Sequence, residues 1–114
     1  MDTPNHKDNR VYVEHMLTCI EKINLYTEGS KEKFFASPLV QDAVIRNLQV
    51  MAESSQRISD DLKRLHDDIA WRDISGFRNI LVHDYLGIDC DTIWSVVEQD
   101  IPALYQSLKK MQGE

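Results

Sequence analysis

The chain has 114 residues, 42% of them apolar and 28% charged, with a net charge of −6 at neutral pH. That length suits one domain, residues 1–114, able to bury about two thirds of its unfolded surface around a single core. The composition excludes a disordered chain, no apolar run reaches the roughly 18 residues of a membrane helix, and the 13 Lys and Arg are too dispersed for tight nonspecific nucleic-acid binding. A local positive cleft, above all one assembled from two subunits, remains compatible with that charge. The stretch from Met1 to Arg10 is polar and lacks the apolar centre of a secretory signal. A cytoplasmic protein is therefore expected, with residues 1–8 a flexible N-terminal extension. Cys19 and Cys90 lie far apart without a CxxC pairing and read as small apolar side chains in a reducing compartment.

Four Gly and three Pro in the whole chain favour long helices over a many-turned sheet. The first helix is predicted from Val11 to about Thr27, with Met16, Ile20 and Ile23 on one face, and ends at Glu28-Gly29-Ser30. Lys31 to Ala36 reads as a loop or short turn. Ser37-Pro38 then supplies an N-cap and a first-position proline. The seven-residue rhythm of Val40, Val44, Leu48, Met51, Ser55, Ile58, Leu62 and Leu65 predicts one helix of about seven turns, with a kink near Ser54-Ser55. A third helix is predicted from Trp71 to Leu86, stopped by Gly87. Asp89 or Asp91 caps a fourth, from Thr92 to about Gln99. Pro102 to Met111 is a kinked continuation or a fifth helix. The expectation is all-α, an up-and-down bundle of four to five helices.

On a helical wheel of ~100° per residue, Trp71, Ile74, Phe77, Leu81, Val82 and Tyr85 form one apolar arc with Arg78 near its middle. A guanidinium is almost never buried without a partner, so part of this face must meet something other than a dry core. His83 stands ~140° from Arg78, and Asn79 precedes His83 by one turn. Arg78, Asn79, His83 and Tyr85 thus share roughly half of the circumference near the end of the helix. The bland reading of each is also available: a salt-bridged arginine, and a histidine capping a helix C-terminus. Elsewhere, His66-Asp67-Asp68 with Asp60-Asp61 reads as a polar helix end, His15 as solvated, and Trp71 and Trp94 as packing residues. No metal spacing, P-loop or GxGxxG is present, and no cofactor is expected.

The block Trp71-Arg72-Asp73-Ile74-Ser75-Gly76-Phe77-Arg78-Asn79-Ile80-Leu81-Val82-His83-Asp84-Tyr85 resembles the signature of the HEPN superfamily in its HepT-like branch, Arg-x-x-x-x-His-x-Tyr preceded by Trp-x-x-x-x-Gly-x-Arg-Asn. Gln41 to Leu48, with Glu53, is similar to the branch's second helix, and the resemblance spans about residues 9–111. Ser54-Ser55 is a mild departure. The resemblance implies a helical-bundle toxin acting as a homodimer and cleaving RNA without a metal. It also implies an antitoxin partner, a minimal nucleotidyltransferase (MNT), that silences the toxin by adenylylation. On this basis Arg78 and His83 are the catalytic pair, Asn79 supports them, and Tyr85 accepts AMP. Arg46 and Asn47 are candidate RNA or nucleotide contacts.

The chemistry fits the residue types. Metal-free cleavage needs the 2′-hydroxyl deprotonated, the phosphorane stabilised and the 5′-oxygen protonated, leaving a 2′,3′-cyclic phosphate and a 5′-hydroxyl. Histidine serves as base or acid near neutral pH, and the arginine fork matches phosphate oxygens. One chain brings one histidine in this segment, and a two-fold dimer brings two. The competing expectation is a non-catalytic HEPN module that binds a nucleotide or partner and presents Tyr85 for modification. The negative charge favours it mildly.

Overall fold

The computed structural model describes residues 6–83 and 87–113, the first three by their backbone alone. Helix α1 (His6–Thr27) carries Met16, Ile20 and Ile23, all fully buried, along the stripe its periodicity predicts. It packs against α3 (Pro38–Gln56), whose Val44, Leu48 and Met51 face it, and against α7 (Ile101–Gln112). Burying side chains of this size stabilises by roughly 1.5–3 kcal/mol each. Helix α5 (Trp71–His83) lies against the other side of α3. The bundle is all-α, and no strand occurs among the described residues.

Several elements depart from expectation. Of the predicted N-terminal extension, residues 1–5 lie outside the described residues and residues 6–8 are the first turn of α1. Lys31–Ala36, expected as loop or turn, is a short helix, α2. The Ser30 hydroxyl caps it by accepting from the Lys33 amide at 3.0 Å, and an ion pair joins Lys33 to Glu28. Buried Phe34 anchors it, its ring centroid 5.3 Å from that of Trp94. Six residues are too few for a periodic signal, so the anchor decides where the pattern cannot.

The long second helix is two. After α3 ends at Gln56, Ser59 begins α4 (Asp60–Leu65) by accepting from the Leu62 amide at 3.3 Å. Buried Asn9 clasps that junction. Its Oδ1 accepts from the Ser59 amide at 3.0 Å and its Nδ2 donates to the Ser59 hydroxyl at 3.1 Å. The clasp gives the interrupted backbone partners that a helix would have provided. The seven-residue rhythm fails at its last member, since Leu65 is 76% exposed.

Between Cys90 and Gln112 the backbone is one helical run. Its first part, α6 (Cys90–Ser95), is capped by Asp89, which accepts from the Thr92 amide at 2.7 Å. A π-helical turn, Val96–Asp100, leads into α7, and there the Ile101 amide reaches the Val96 carbonyl five residues back. Pro102 has no N–H to offer Glu98, which is where an ordinary ladder fails. The fourth and fifth predicted helices are therefore a single element with a widened turn.

Candidate functional site

Arg78 sits on the flank of α5 nearest α3 and is half-buried. The Glu53 carboxylate of α3 lies 3.7 Å from its guanidinium, with the two side chains 28% and 42% exposed. The partner that a guanidinium on an apolar arc demands is thus a carboxylate from the neighbouring helix. A second guanidinium nitrogen donates to the Asn79 side-chain oxygen at 3.3 Å, drawing the charge around α5 toward His83. The Nε of Arg78 is buried and has no hydrogen-bond partner among the described residues. An unsatisfied donor of this kind costs roughly 1–3 kcal/mol and is tolerated where another contact compensates.

His83 is the last described residue of α5 and is exposed, as is Asn79 one turn before it. Arg78 and His83 are five residues apart, ~7.5 Å along the axis. The arginine, asparagine and histidine therefore form a strip from the α3 seam to open solvent. Tyr85 lies outside the described residues. Arg46 is exposed on the same face of α3 as Glu53, seven residues and ~10 Å up the axis. Burial pushes the Cys19 thiol up from its ordinary range, and the nearby cations Lys22 and Arg46 pull against it. Arg46 is thus placed beside α1. Asn47 turns back on its own helix, donating to the Ala43 carbonyl at 2.9 Å.

Sequence reasoning required a partner for Arg78 but did not identify Glu53 in that role. The available signal was Glu53 on the outward face of α3, and choosing it needs the register between two helices. The discounted residues behave as structural ones. Trp94 is buried, Trp71 is half-buried with its indole donating to the His66 carbonyl at 3.0 Å, and His15 is exposed. Among the described residues, no three His, Cys, Asp or Glu side chains gather closely enough to hold a metal.

A groove of about 640 Å³ opens on the other flank of α5, toward the π-helical turn and α7. Ile69 and Met51 lie at its floor, Phe77 and Ile80 on one wall, Val96 and Leu104 on the other. Arg78, Asn79 and His83 do not line it. The candidate chemistry is on a convex strip, and the concave surface is elsewhere.

The all-α bundle of the described residues is the architecture that the resemblance to HEPN-type domains implies. Within that class the chain belongs to the HepT-like family, described as "Ribonuclease HepT-like", whose profile matches residues 16–111. It is 38% identical over 109 residues to "Probable ribonuclease HepT" of Thermococcus cleftensis, covering 95% of this chain and 96% of that protein. It is 35% identical over 109 residues to "Gamma-glutamylcyclotransferase and putative RNase" of Methanocaldococcus jannaschii, covering 95% of this chain and 49% of that protein. The chain thus spans about half the length of this second relative. A "Putative RNase" of Caldanaerobacter subterraneus is 29% identical over 106 residues, 92% of this chain and 95% of that protein. No solved structure matches. No helix among the described residues is long and apolar enough to cross a membrane.

Proposed function

We propose that this chain is a metal-independent endoribonuclease, the cytoplasmic toxin of a HEPN/MNT toxin–antitoxin pair, with Arg78 and His83 as its catalytic residues. The observation that carries the reading is the strip on α5. There a guanidinium tethered by Glu53 and Asn79 and a solvent-facing imidazole five residues on share one helix in a chain of a ribonuclease family. Arg78 binds the scissile phosphate and stabilises its developing charge. His83 takes the 2′-hydroxyl proton as the 2′-oxygen attacks phosphorus. His83 of a second copy returns a proton to the departing 5′-oxygen. This division of labour needs a homodimer that brings two convex strips together across its twofold axis. Asn79 orients Arg78, and Arg46 extends the cationic path along α3. Asn47 is a weaker candidate, because its amide donor is engaged.

Neutralisation follows from charge. AMP added to Tyr85, two residues beyond His83 in the sequence, brings a negative phosphate that would compete with RNA phosphate by like-charge repulsion. The nucleotidyltransferase antitoxin is the agent of that modification. The second reading, a non-catalytic module that binds a nucleotide or a partner and is itself modified, is favoured by the −6 charge and by the carboxylate that already occupies Arg78.

The test is cleavage of a mixed RNA pool in EDTA. The catalytic reading expects 2′,3′-cyclic phosphate and 5′-hydroxyl ends, and a rate ~10²–10⁴-fold lower in His83→Ala. Cleavage by His83→Ala at the wild-type rate removes it. No cleavage by unmodified wild type, although the partner can adenylylate its Tyr85, selects the second reading.

A further inference from the structure

The groove between α5 and α7 has no part in the strip of Arg78, Asn79 and His83. Its α5 wall is apolar and open: Ile80 is 48% exposed, and Ile74 and Phe77 are only half-buried. The opposite wall is formed by the π-helical turn and the start of α7, and widened turns of this kind are frequent at functional sites. The rim is acidic. Asp68, Asp73 and Asp100 stand on it, with Arg72 the one cation among its lining residues. Asp68 accepts a hydrogen bond from the Ser107 hydroxyl at 3.1 Å, and neither Asp73 nor Asp100 has an ion pair among the described residues.

Charge discriminates among occupants. RNA meets three carboxylates where it needs cations. A second copy of this chain in a twofold contact presents the same patch to itself. Each copy then brings three carboxylates and one guanidinium to the other, a net like charge that disfavours association. A helix with apolar side chains at i, i+3 or i+4 and i+7, and with Lys or Arg beside them, satisfies both floor and rim. Helix α5 lines the groove between Arg72 and Ile80, which gives such a guest ~13 Å of wall, two to three turns. A groove of about 640 Å³ is within the size of formed binding pockets.

We infer that the α5–α7 groove is a docking site for an amphipathic helix of a partner protein, apolar on one face and rich in lysine or arginine along its flanks. The inference stands apart from the ribonuclease reading, since its readout is binding and involves no RNA cleavage. Ile80 precedes His83 by three residues, so a docked helix runs alongside the catalytic strip without covering Arg78.

The experiment is an NMR titration of the ¹⁵N-labelled full chain with a helical peptide of about 16 residues, leucine along one face and lysine on both flanks. Parallel titrations use the same peptide with glutamate for every lysine, and a single-stranded RNA oligonucleotide. The lysine peptide is expected to shift the amides of Ile74, Phe77, Ile80 and Leu104 and to saturate. The glutamate peptide is expected to bind at least ~10-fold more weakly. Asp73→Lys with Asp100→Lys reverses that preference, and Asp73→Asn with Asp100→Asn abolishes it should the reversed pair misfold by circular dichroism. The inference is overturned by equal affinity for the two peptides, or by no shifts at millimolar peptide. Shifts confined to other surfaces, shifts of the groove amides by RNA, or their dependence on the concentration of the chain alone overturn it equally.

Discussion

The two flanks of α5 differ in shape and in charge, although one sequence of 13 residues builds both. Toward α3, the helix is close-packed and ionic: Leu81 is buried, and Arg78 is paired with Glu53. Toward α7, it is apolar and unfilled, with Ile80 and Phe77 opening on a groove edged by carboxylates. A strip that runs from a cation at the α3 seam to a solvent-facing histidine offers groups a phosphate would use, and a flank of open apolar surface inside an acidic rim offers what a basic helix would use. Concavity alone would have led to the flank that Arg78, Asn79 and His83 do not line.

The comparison can be broken or sharpened by substitution. The largest effect belongs to the strip: His83→Ala lowers the cleavage rate ~10²–10⁴-fold, while the thermal midpoint stays near wild type because the ring is exposed. Leu81→Ala comes next, removing a side chain 1% exposed at the α3 seam. A loss of about 2–5 kcal/mol is expected in urea unfolding. Glu53→Gln separates holding Arg78 from stabilising the fold. Cleavage falls roughly 10- to 100-fold as the guanidinium loses its position, while unfolding free energy changes by less than about 1 kcal/mol for a pair this exposed. Loss of stability without loss of rate would make the pair merely structural.

The smallest effect lies at the N-terminus of α6. The Thr92 amide, hydrogen-bonded to the Asp89 carboxylate, holds its pKa below the ordinary 3.8. A lowered folded-state value means stability that is present above the unfolded value and is lost as pH falls through the folded one. Asp89→Ala is therefore slightly less stable than wild type at neutral pH, and the difference fades once the pH drops below 3.8. A difference that persists unchanged in acid would contradict this cap.

Much of this was legible in the residues. The 3.6-residue period located α1, α3 and α5, and Ser37-Pro38 marked where α3 begins, the serine hydroxyl accepting from the Val40 amide at 3.2 Å. The Arg78, Asn79 and His83 grouping was legible because three positions on one helix need no tertiary information. What escaped depends on contacts between distant residues. The clasp of Asn9 on Ser59 spans 50 positions, and it marks a break that the heptad rhythm runs straight through. Phe34 turns Lys31–Ala36 into a helix by packing on Trp94. The wheel put Ile74, Phe77 and Leu81 on one apolar arc, part of which had to meet something other than a dry core; that Leu81 is the buried one of the three, and the others stay open, depends on where α7 stands.

The most direct measurement sets the two flanks against each other in one assay, the cleavage of labelled RNA by His83→Ala and Ile80→Ala, three residues apart on the same helix. Catalysis by the strip requires His83→Ala to lose at least ~100-fold and Ile80→Ala to cut within a few-fold of wild type. Equal losses, or cleavage surviving in His83→Ala and vanishing in Ile80→Ala, would place the chemistry in the groove that Ile80 lines and not on the strip.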